Sequence, residues 1–296
     1  MLTDKVCIVA GGGNGIGRAT ATALGAAGAS VVVNDLGVSL TGESETEQPA
    51  QQVVDAIEDA GGEAMAHYGD ISSLEYTEEL VADTVAEYGR VDGAVNFAGI
   101  LQDSICYKMT GEQFDSVINV HLRGHFALLR NLAAHWRQRA QESDDGLASQ
   151  RSFLAVSSTA ATNGNVGQVN YAAAKGGILA MVRTAAKELH RTNVRVNALL
   201  PSAYTRMIAS MPDEEFKQNY QENKPPEKVT PLVGYMMSDE ATDITGCSLR
   251  ASGDMVGLMN DPATVRAAVN DDGWTIESLA ESFRETVGDG EELTRV

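Results

Sequence analysis

Residues 10–17 read AGGGNGIG, directly after the apolar run Val6–Val9 and directly before a stretch of helical spacing, Ile16–Ala27. A strand that turns into a helix through so many glycines leaves few folds open. Glycine tolerates positive φ and close backbone approach, so the turn is tight and the amides opening the helix face whatever lies beyond the strand end. The G-x-G-x-x-G spacing is absent; G-x-x-x-G-x-G fits instead, on Gly11, Gly15 and Gly17. A glycine-rich turn alone also serves simply to pack a helix on a strand. Between a strand and a helix, it reads as a cradle for a pyrophosphate.

The chain then repeats this unit. Short β-branched runs occur at Val31–Val33, Val91–Asn96, Phe153–Val156 and Val194–Leu199, and helical spacing at Val53–Ala60, Leu80–Tyr88, Phe114–Ala140 and Ala172–Leu189. Strands alternating with helices predict βαβ units, and continuously apolar strands predict a parallel sheet covered on both faces. The expected fold is α/β, a single Rossmann-type doubly wound domain of about seven strands over residues 1–260. Gly37–Pro49 and Gln141–Gln150 read as solvated loops. Residues 202–228, rich in Met (Met207, Met211), Pro and charge, read as a mobile substrate lid. Residues 261–296 read as an acidic extension with one amphipathic helix around Ile276–Phe283.

Charge removes several function classes. With 41 Asp and Glu against 22 Lys and Arg, the formal charge is −19, which repels nucleic acid and anionic lipid. Only seven of the cations are lysine. An acid-rich, lysine-poor chain suits concentrated salt, where repulsion is screened within about 3 Å at about 1 M. Cys7, Cys106 and Cys247 are odd in number and set among apolar residues, so they read as buried free thiols in a reducing compartment, with no disulfide framework or zinc site. Asp4 and Lys5 precede any apolar run and no membrane-length apolar stretch follows, so a cytoplasmic location is expected.

Candidate site residues fall at strand ends. The second strand closes in VVVND, and Asp35 stands 18 residues beyond Gly17, where an acid accepts hydrogen bonds from an adenosine ribose. A carboxylate there repels a 2′-phosphate, favouring NAD over NADP, although Arg18 beside the loop offsets part of that repulsion. Tyr171 and Lys175 stand four apart in a helix otherwise made of small and aliphatic residues. Alone, the pair reads as an amphipathic residue and a snorkelling cation. Ser158, 13 residues before Tyr171 at the end of the fifth strand, changes that reading.

Five motifs in order, over residues 1–255, resemble the short-chain dehydrogenase/reductase family: the glycine loop, Gly69-Asp70 after the third strand, Val95–Gly99 (VNFAG), Ser158…Tyr171-x-x-x-Lys175, and Pro201 after the sixth strand. Within the family, VVVNDLG, AGILQDS, VHLRGHF, NVGQVNYAAAK and PSAYTRM are most similar to the (R)-3-hydroxyacyl-CoA dehydrogenase domain of peroxisomal multifunctional enzymes. The resemblance implies an NAD(H)-dependent oxidoreductase acting on a secondary alcohol or ketone carried by an acyl thioester. It implies cofactor contacts at Gly11, Gly15, Ile16, Gly17, Asp35, Asp70, Ile71, Asn96, Ala98, Gly99, Tyr171, Lys175, Pro201 and Thr205. It also implies a homodimer or homotetramer through the two long helices. Phe97 replaces the second Asn of the family's N-N-A-G, and Ser202 follows Pro201 where Gly is common. Alternatives are an NADPH-dependent 3-oxoacyl-carrier-protein reductase, a steroid or other alcohol dehydrogenase, and a dinucleotide sensor without chemistry.

Hydride transfer at a carbinol carbon requires a group that moves the hydroxyl proton. A tyrosine titrates at about 10, too high for a base at neutral pH. A lysine one helical turn away favours the phenolate by its charge. The resemblance therefore gives Tyr171 the acid/base role, Lys175 the supporting role and Ser158 the hydrogen bond to the substrate oxygen. Where the family carries an asparagine in N-L-x-G, orienting a water on the lysine, this chain has His121-Leu-Arg-Gly124, with Asn119 two residues earlier. His121 is the expected replacement. His121 and His125 stand four apart without the Glu of H-E-x-x-H, so no metal is expected.

Overall fold

In the computed structural model, which describes residues 1–37, 48–142, 146–209, 213–260 and 262–288, the strand–helix rhythm becomes one sheet. Its strands are β1 (Val6–Ala10), β2 (Ser30–Asn34), β3 (Glu63–His67), β4 (Gly93–Asn96), β5 (Arg151–Val156), β6 (Val194–Ser202), β7 (Ser248–Ser252) and β8 (Met255–Leu258). Their order in space is β3-β2-β1-β4-β5-β6-β7-β8. All neighbours run parallel except β7 and β8. The chain winds outward from β1 in both directions, leaving a crevice between the ends of β1 and β4. The sheet has one strand more than expected. β8 folds back on β7 through a tight turn in which Ser252 faces Met255 and Gly253 takes φ +57°. Without a helix between them, the pair escapes a search for βαβ units.

The helices are α1 (Gly15–Ala26), α2 (Pro49–Asp59), α3 (Leu74–Tyr88), α4 (Gly111–Ile118), α5 (Gly124–Gln141), α6 (Ala160–Asn163), α7 (Val169–Leu189), α8 (Arg206–Ala209), α9 (Glu214–Asn223), α10 (Thr230–Met237) and α11 (Ile276–Ser282). Strand residues alternate between two cores, which is why the strands are apolar throughout. Val9, Val33, Val95 and Leu199 meet Leu24, Val53, Ile57 and Met236 of α1, α2 and α10. Ile8, Val32, Phe153 and Ala198 meet Leu80, Leu132, Trp136, Ile178 and Val182 of α3, α5 and α7. Each such side chain contributes about 1.5–3 kcal/mol on burial. Trp136 also donates its indole N–H to Val91 O at 2.8 Å, so the polar atom of the largest core residue is satisfied.

Two expectations need correction. Phe114–Ala140 is no single helix: α4, capped by Thr110 and Gln113, ends at Ile118, and a π-helical turn over Asn119–Arg123 joins it to α5. Of the three thiols only Cys7 is buried; Cys247 is half-buried and Cys106 is exposed.

Met1–Met259, which holds the whole sheet, and Asn260–Val296 are two compact units. In the second, Thr275 and Ser278 cap α11 reciprocally, and none of its residues is buried. α8 and α9 fall within the expected lid, whereas residues 210–212, including Met211, lie outside the described residues, as do 38–47 and 143–145 of the two polar loops. Among the described residues no helix is long and apolar enough to cross a membrane.

Candidate active site

The candidate residues follow β1 (the glycine loop), β2 (Asp35), β3 (Asp70, Ile71), β4 (Asn96–Gly99), β5 (Ser158) and β6 (Pro201, Thr205), with Tyr171 and Lys175 on α7 and His121 in the π-turn. Gly11 sits at φ +67°, and a Cβ there would stand 2.4 Å from Ala98 N; one on Gly17 would stand 2.0 Å from Gly11 O. The glycine loop is therefore pressed against the VNFAG segment and its own first turn, with no room for side chains. α1 then begins at Gly15 with no side-chain cap from Asn14 and no acid in its first turn. A twelve-residue helix whose positive end is left open in this way attracts an anion. α3, by contrast, is capped by Ser73 and carries Glu75 in its first turn.

Asp35 closes the loop from the other side. Its carboxylate accepts the Gly13 amide and the Gly37 amide, each at 2.9 Å. Thr205 lies beyond Pro201 at the end of β6, and its methyl would be 3.5 Å from a Cβ on Gly15. Asn96, fully buried, turns the chain after β4 by accepting the Ala98 amide at 2.9 Å. Asp70 is exposed and accepts the Ser72 amide, while Ile71 is buried. An open helix start, a side-chain-free cradle and a carboxylate at its rim suit a ribose-bearing pyrophosphate.

Ser158 stands just past β5, and Tyr171 and Lys175 share one face of α7. Lys175 Nζ lies 5.5 Å from the Tyr171 ring centroid and donates to Val156 O at 2.7 Å. It is only 3% exposed, and burial pulls its pKa from 10.5 down to about 7. Burial pushes the Tyr171 phenol up, the Ser158 hydroxyl pulls it down, and Asp103 adds to the rise. Within the chain itself, burial thus opposes charge on both groups, and the charge of Lys175 is not the main influence on Tyr171.

His121, in the π-turn, is buried with its ring edge-on to Tyr171, centroids 5.1 Å apart at 88°. A Cβ on Gly99 would lie 2.3 Å from its Cε1, so the ring occupies space that only glycine leaves. Its Nε2 faces both Ile100 O (2.9 Å) and Ile100 N (3.2 Å), and its Nδ1 is buried with no partner among the described residues. Burial first and Lys175 second drive its pKa well below 6.5. Asn119 points elsewhere, donating to Ser72 Oγ at 2.8 Å. Residues two apart project to nearly opposite sides of a helix, so Asn119 and His121 meet different surroundings.

Sequence reasoning missed several residues of this site. Asn170, fully buried, donates to Gln102 O and Gln113 O and accepts the Tyr171 amide. Gln168 donates to Asp103 at 2.9 Å, tying the loop after β4 to the start of α7. Both are polar residues just before the tyrosine, which is the only local hint. His125, four residues beyond His121, bonds backbone, and among the described residues no three His, Cys, Asp or Glu side chains gather as a metal site. At the far end, Asn34, Tyr76, His67 and Asp83 form a hydrogen-bonded row beside Asp35.

Comparison with known proteins agrees with the fold. The family described as enoyl-(acyl carrier protein) reductase matches residues 10–253. A Mycobacterium tuberculosis protein named hydroxyacyl-CoA dehydrogenase ChsB1 is 39% identical, over 96% of this chain and 89% of its own. The peroxisomal hydratase-dehydrogenase-epimerase of Saccharomyces cerevisiae is 35% identical over 95% of this chain, which spans 30% of that longer protein. A crystal structure of a short chain dehydrogenase from Mycobacterium avium superimposes with a TM-score of 0.86 at 38% identity, covering 98% of this chain and 97% of that one.

Proposed function

Because the chain belongs to the short-chain dehydrogenase/reductase family, we propose that it interconverts a (3R)-3-hydroxyacyl-CoA and the corresponding 3-oxoacyl-CoA, with NAD preferred to NADP. The observation that carries this reading is the gathering of Ser158, Tyr171 and Lys175 at the strand ends beside a glycine loop rimmed by Asp35. The relative named hydroxyacyl-CoA dehydrogenase supports the substrate class. Asp35 supports NAD, since a carboxylate repels a 2′-phosphate.

When bound, the dinucleotide donates or accepts the hydride. Everything else falls to this chain. Gly11, Gly15, Ile16 and Gly17 hold its pyrophosphate, Asp35 a ribose, Asp70 and Ile71 the adenine, Asn96, Ala98 and Gly99 the middle, and Pro201 and Thr205 the carboxamide. Ser158 donates to the substrate oxygen. Tyr171 gives that oxygen its proton in reduction and takes it in oxidation. Lys175, poised near neutrality by burial, supports the phenolate when charged and holds a ribose hydroxyl. His121 Nδ1, buried and unpartnered, holds the water that links Lys175 to solvent.

Arg18, exposed in the first turn of α1, favours a second reading, an NADPH-dependent 3-oxoacyl-carrier-protein reductase. Rates with short-, medium- and long-chain 3-hydroxyacyl-CoAs, using NAD and NADP in dilute buffer and in molar salt, separate the two. The expected result is turnover with NAD, retained in molar salt as the acidic surface suggests, and a shift toward NADP in Asp35→Ala. A strong NADP preference in the unaltered protein overturns the cofactor reading, and no turnover of any acyl-CoA overturns the substrate. A homodimer or homotetramer in the cytoplasm completes the proposal. Exposed Phe126 of α5, with Ile118 of α4 and Leu122 of the π-turn, supplies an apolar face for a second copy.

A further inference from the structure

His125 lies one turn beyond His121 and is fully buried. Its Nδ1 lies 2.6 Å from His121 O, and its Nε2 accepts the Val156 amide at 2.9 Å. These partners fix the tautomer: Nδ1 carries the hydrogen and Nε2 the lone pair. The Val156 amide needs a partner there. The β4–β5 ladder ends at Asn96 and Ala155, so the next amide, that of Val156, has lost its strand neighbour. His121 O belongs to the π-turn and accepts a backbone N–H at the start of α5 as well as facing His125 Nδ1.

Each tie ends next to a group of the proposed proton path. Val156 gives its amide to His125 and its carbonyl to Lys175 Nζ, at 2.7 Å. His121 is held by its carbonyl while its ring stands against Tyr171. We propose that His125 is a positioning residue, a single imidazole that fixes the π-turn carrying His121 and the strand end receiving Lys175 in one arrangement. Both ring nitrogens of His125 are engaged by backbone, and Asn96 Nδ2 stands 3.4 Å from Nδ1. Burial and Lys175 hold its pKa at about 3, so it stays neutral through the cycle and stores no proton. The titratable groups packed around Lys175 are Tyr171 on its own helix, His121 and His125 across from it, and Asp103 beside Tyr171. This inference rests on the dehydrogenase reading for its kinetic test but not for its titration test.

Three variants decide it. His125→Leu removes both ties, and His125→Asn keeps a donor near the place of Nδ1. Asn131→Leu is the control, since Asn131 is buried on the same helix but bonds Leu74 O and Thr77 Oγ1 of α3. The expected result for His125→Leu is a kcat reduced by roughly tenfold to a hundredfold, with the dinucleotide KM within about twofold. His125→Asn recovers part of kcat, and Asn131→Leu lowers thermal stability with kcat intact. In parallel, Lys175 followed by NMR of labelled lysines titrates at higher pH in His125→Leu than in the unaltered protein, as the looser site admits water. An unchanged Lys175 titration in a folded His125 variant overturns the proposal, as does a kcat loss equal to that of the control. Should His125→Leu not fold, His125→Asn decides by the same two measurements. Absence of turnover in the unaltered protein counts against the dehydrogenase reading alone, and the titration still tests His125.

Discussion

Asp92 and Lys175 are buried charges at opposite ends of the same sheet, and the fold treats them in opposite ways. Asp92, where β4 begins, is saturated with partners. It accepts the Val6 amide at 2.9 Å and a two-pronged bond from Arg90 at 2.8 and 2.7 Å, and Arg151 lies 3.1 Å away. Lys175, where β5 ends, has among the described residues a backbone carbonyl and no carboxylate partner. Desolvation is compensated at the first end and left standing at the second. A charge the fold needs is surrounded by opposite charge; a charge that catalysis needs is kept movable.

The comparison breaks first at Asp92. Asp92→Asn keeps the shape but removes the charge that faces Arg151, a guanidinium whose pKa burial already depresses. Removing one partner of a buried pair costs about 3–5 kcal/mol. Chemical denaturation should show that loss, with kcat and KM of the surviving folded protein unchanged. A loss below about 1 kcal/mol would mean the cluster is wetter than the 2% exposure of the Asp92 side chain suggests.

Lys175→Met should move stability the other way. The folded pKa is about 7 against 10.5 for a free lysine, so between those values the unfolded chain holds more protons and stability rises with pH. The penalty is fully present below about pH 7 and is gone above about pH 10.5. Lys175→Met is therefore expected to gain about 2–4 kcal/mol at about pH 6, a gain that shrinks toward about pH 10, while activity falls by about 10²–10⁴. A variant no more stable at low pH than at high pH shows that Lys175 is not desolvated.

The two ends also differ in how far the sequence reveals them. Ser158, Tyr171, Lys175 and the glycine loop are legible because helix and strand periods convert their spacing directly into shared position. β-branched runs reveal β1, β2, β4, β5 and β6 in the same way. β3, which reads EAMAH, and β8, which reads MVGL, carry weaker patterns and take their form from their neighbours. The π-turn is invisible because apolar spacing across Phe114–Ala140 stays compatible with one straight helix, and only packing shows the extra residue. His121 is legible as a departure from the family pattern, but its partner Ile100, 21 residues earlier, is not. The sequence shows two histidines four apart on one face and no metal pattern, but nothing in it shows that His125 meets the backbone of the π-turn and of β5. The Asp92 cluster joins residues from three strand starts, and no local pattern announces it.

The row Asn34–Tyr76–His67–Asp83 supplies the smallest test, because it is polar, partly buried and neutral along most of its length. His67 Nε2 lies 3.1 Å from Asp83 and so carries the hydrogen, which leaves Nδ1 to accept the Tyr76 hydroxyl at 2.6 Å. Tyr76 in turn accepts from Asn34 Nδ2 at 2.7 Å, and burial raises its pKa, so it stays a phenol. Its ring fills the space over Gly69, where a Cβ would lie 2.0 Å away, and so supports the turn that precedes Asp70. Tyr76→Phe keeps the ring, removes two bonds and leaves Asn34 its contact to Gly69 O at 3.2 Å. The expected cost is about 1 kcal/mol, well below that at Asp92, because no charge is stranded. Asp35 follows Asn34 directly, so the dinucleotide KM should rise by less than about tenfold while kcat holds. A fall in kcat with KM unchanged would instead connect this row to the Tyr171 end of the sheet, and would break the separation between binding and proton transfer on which the comparison depends.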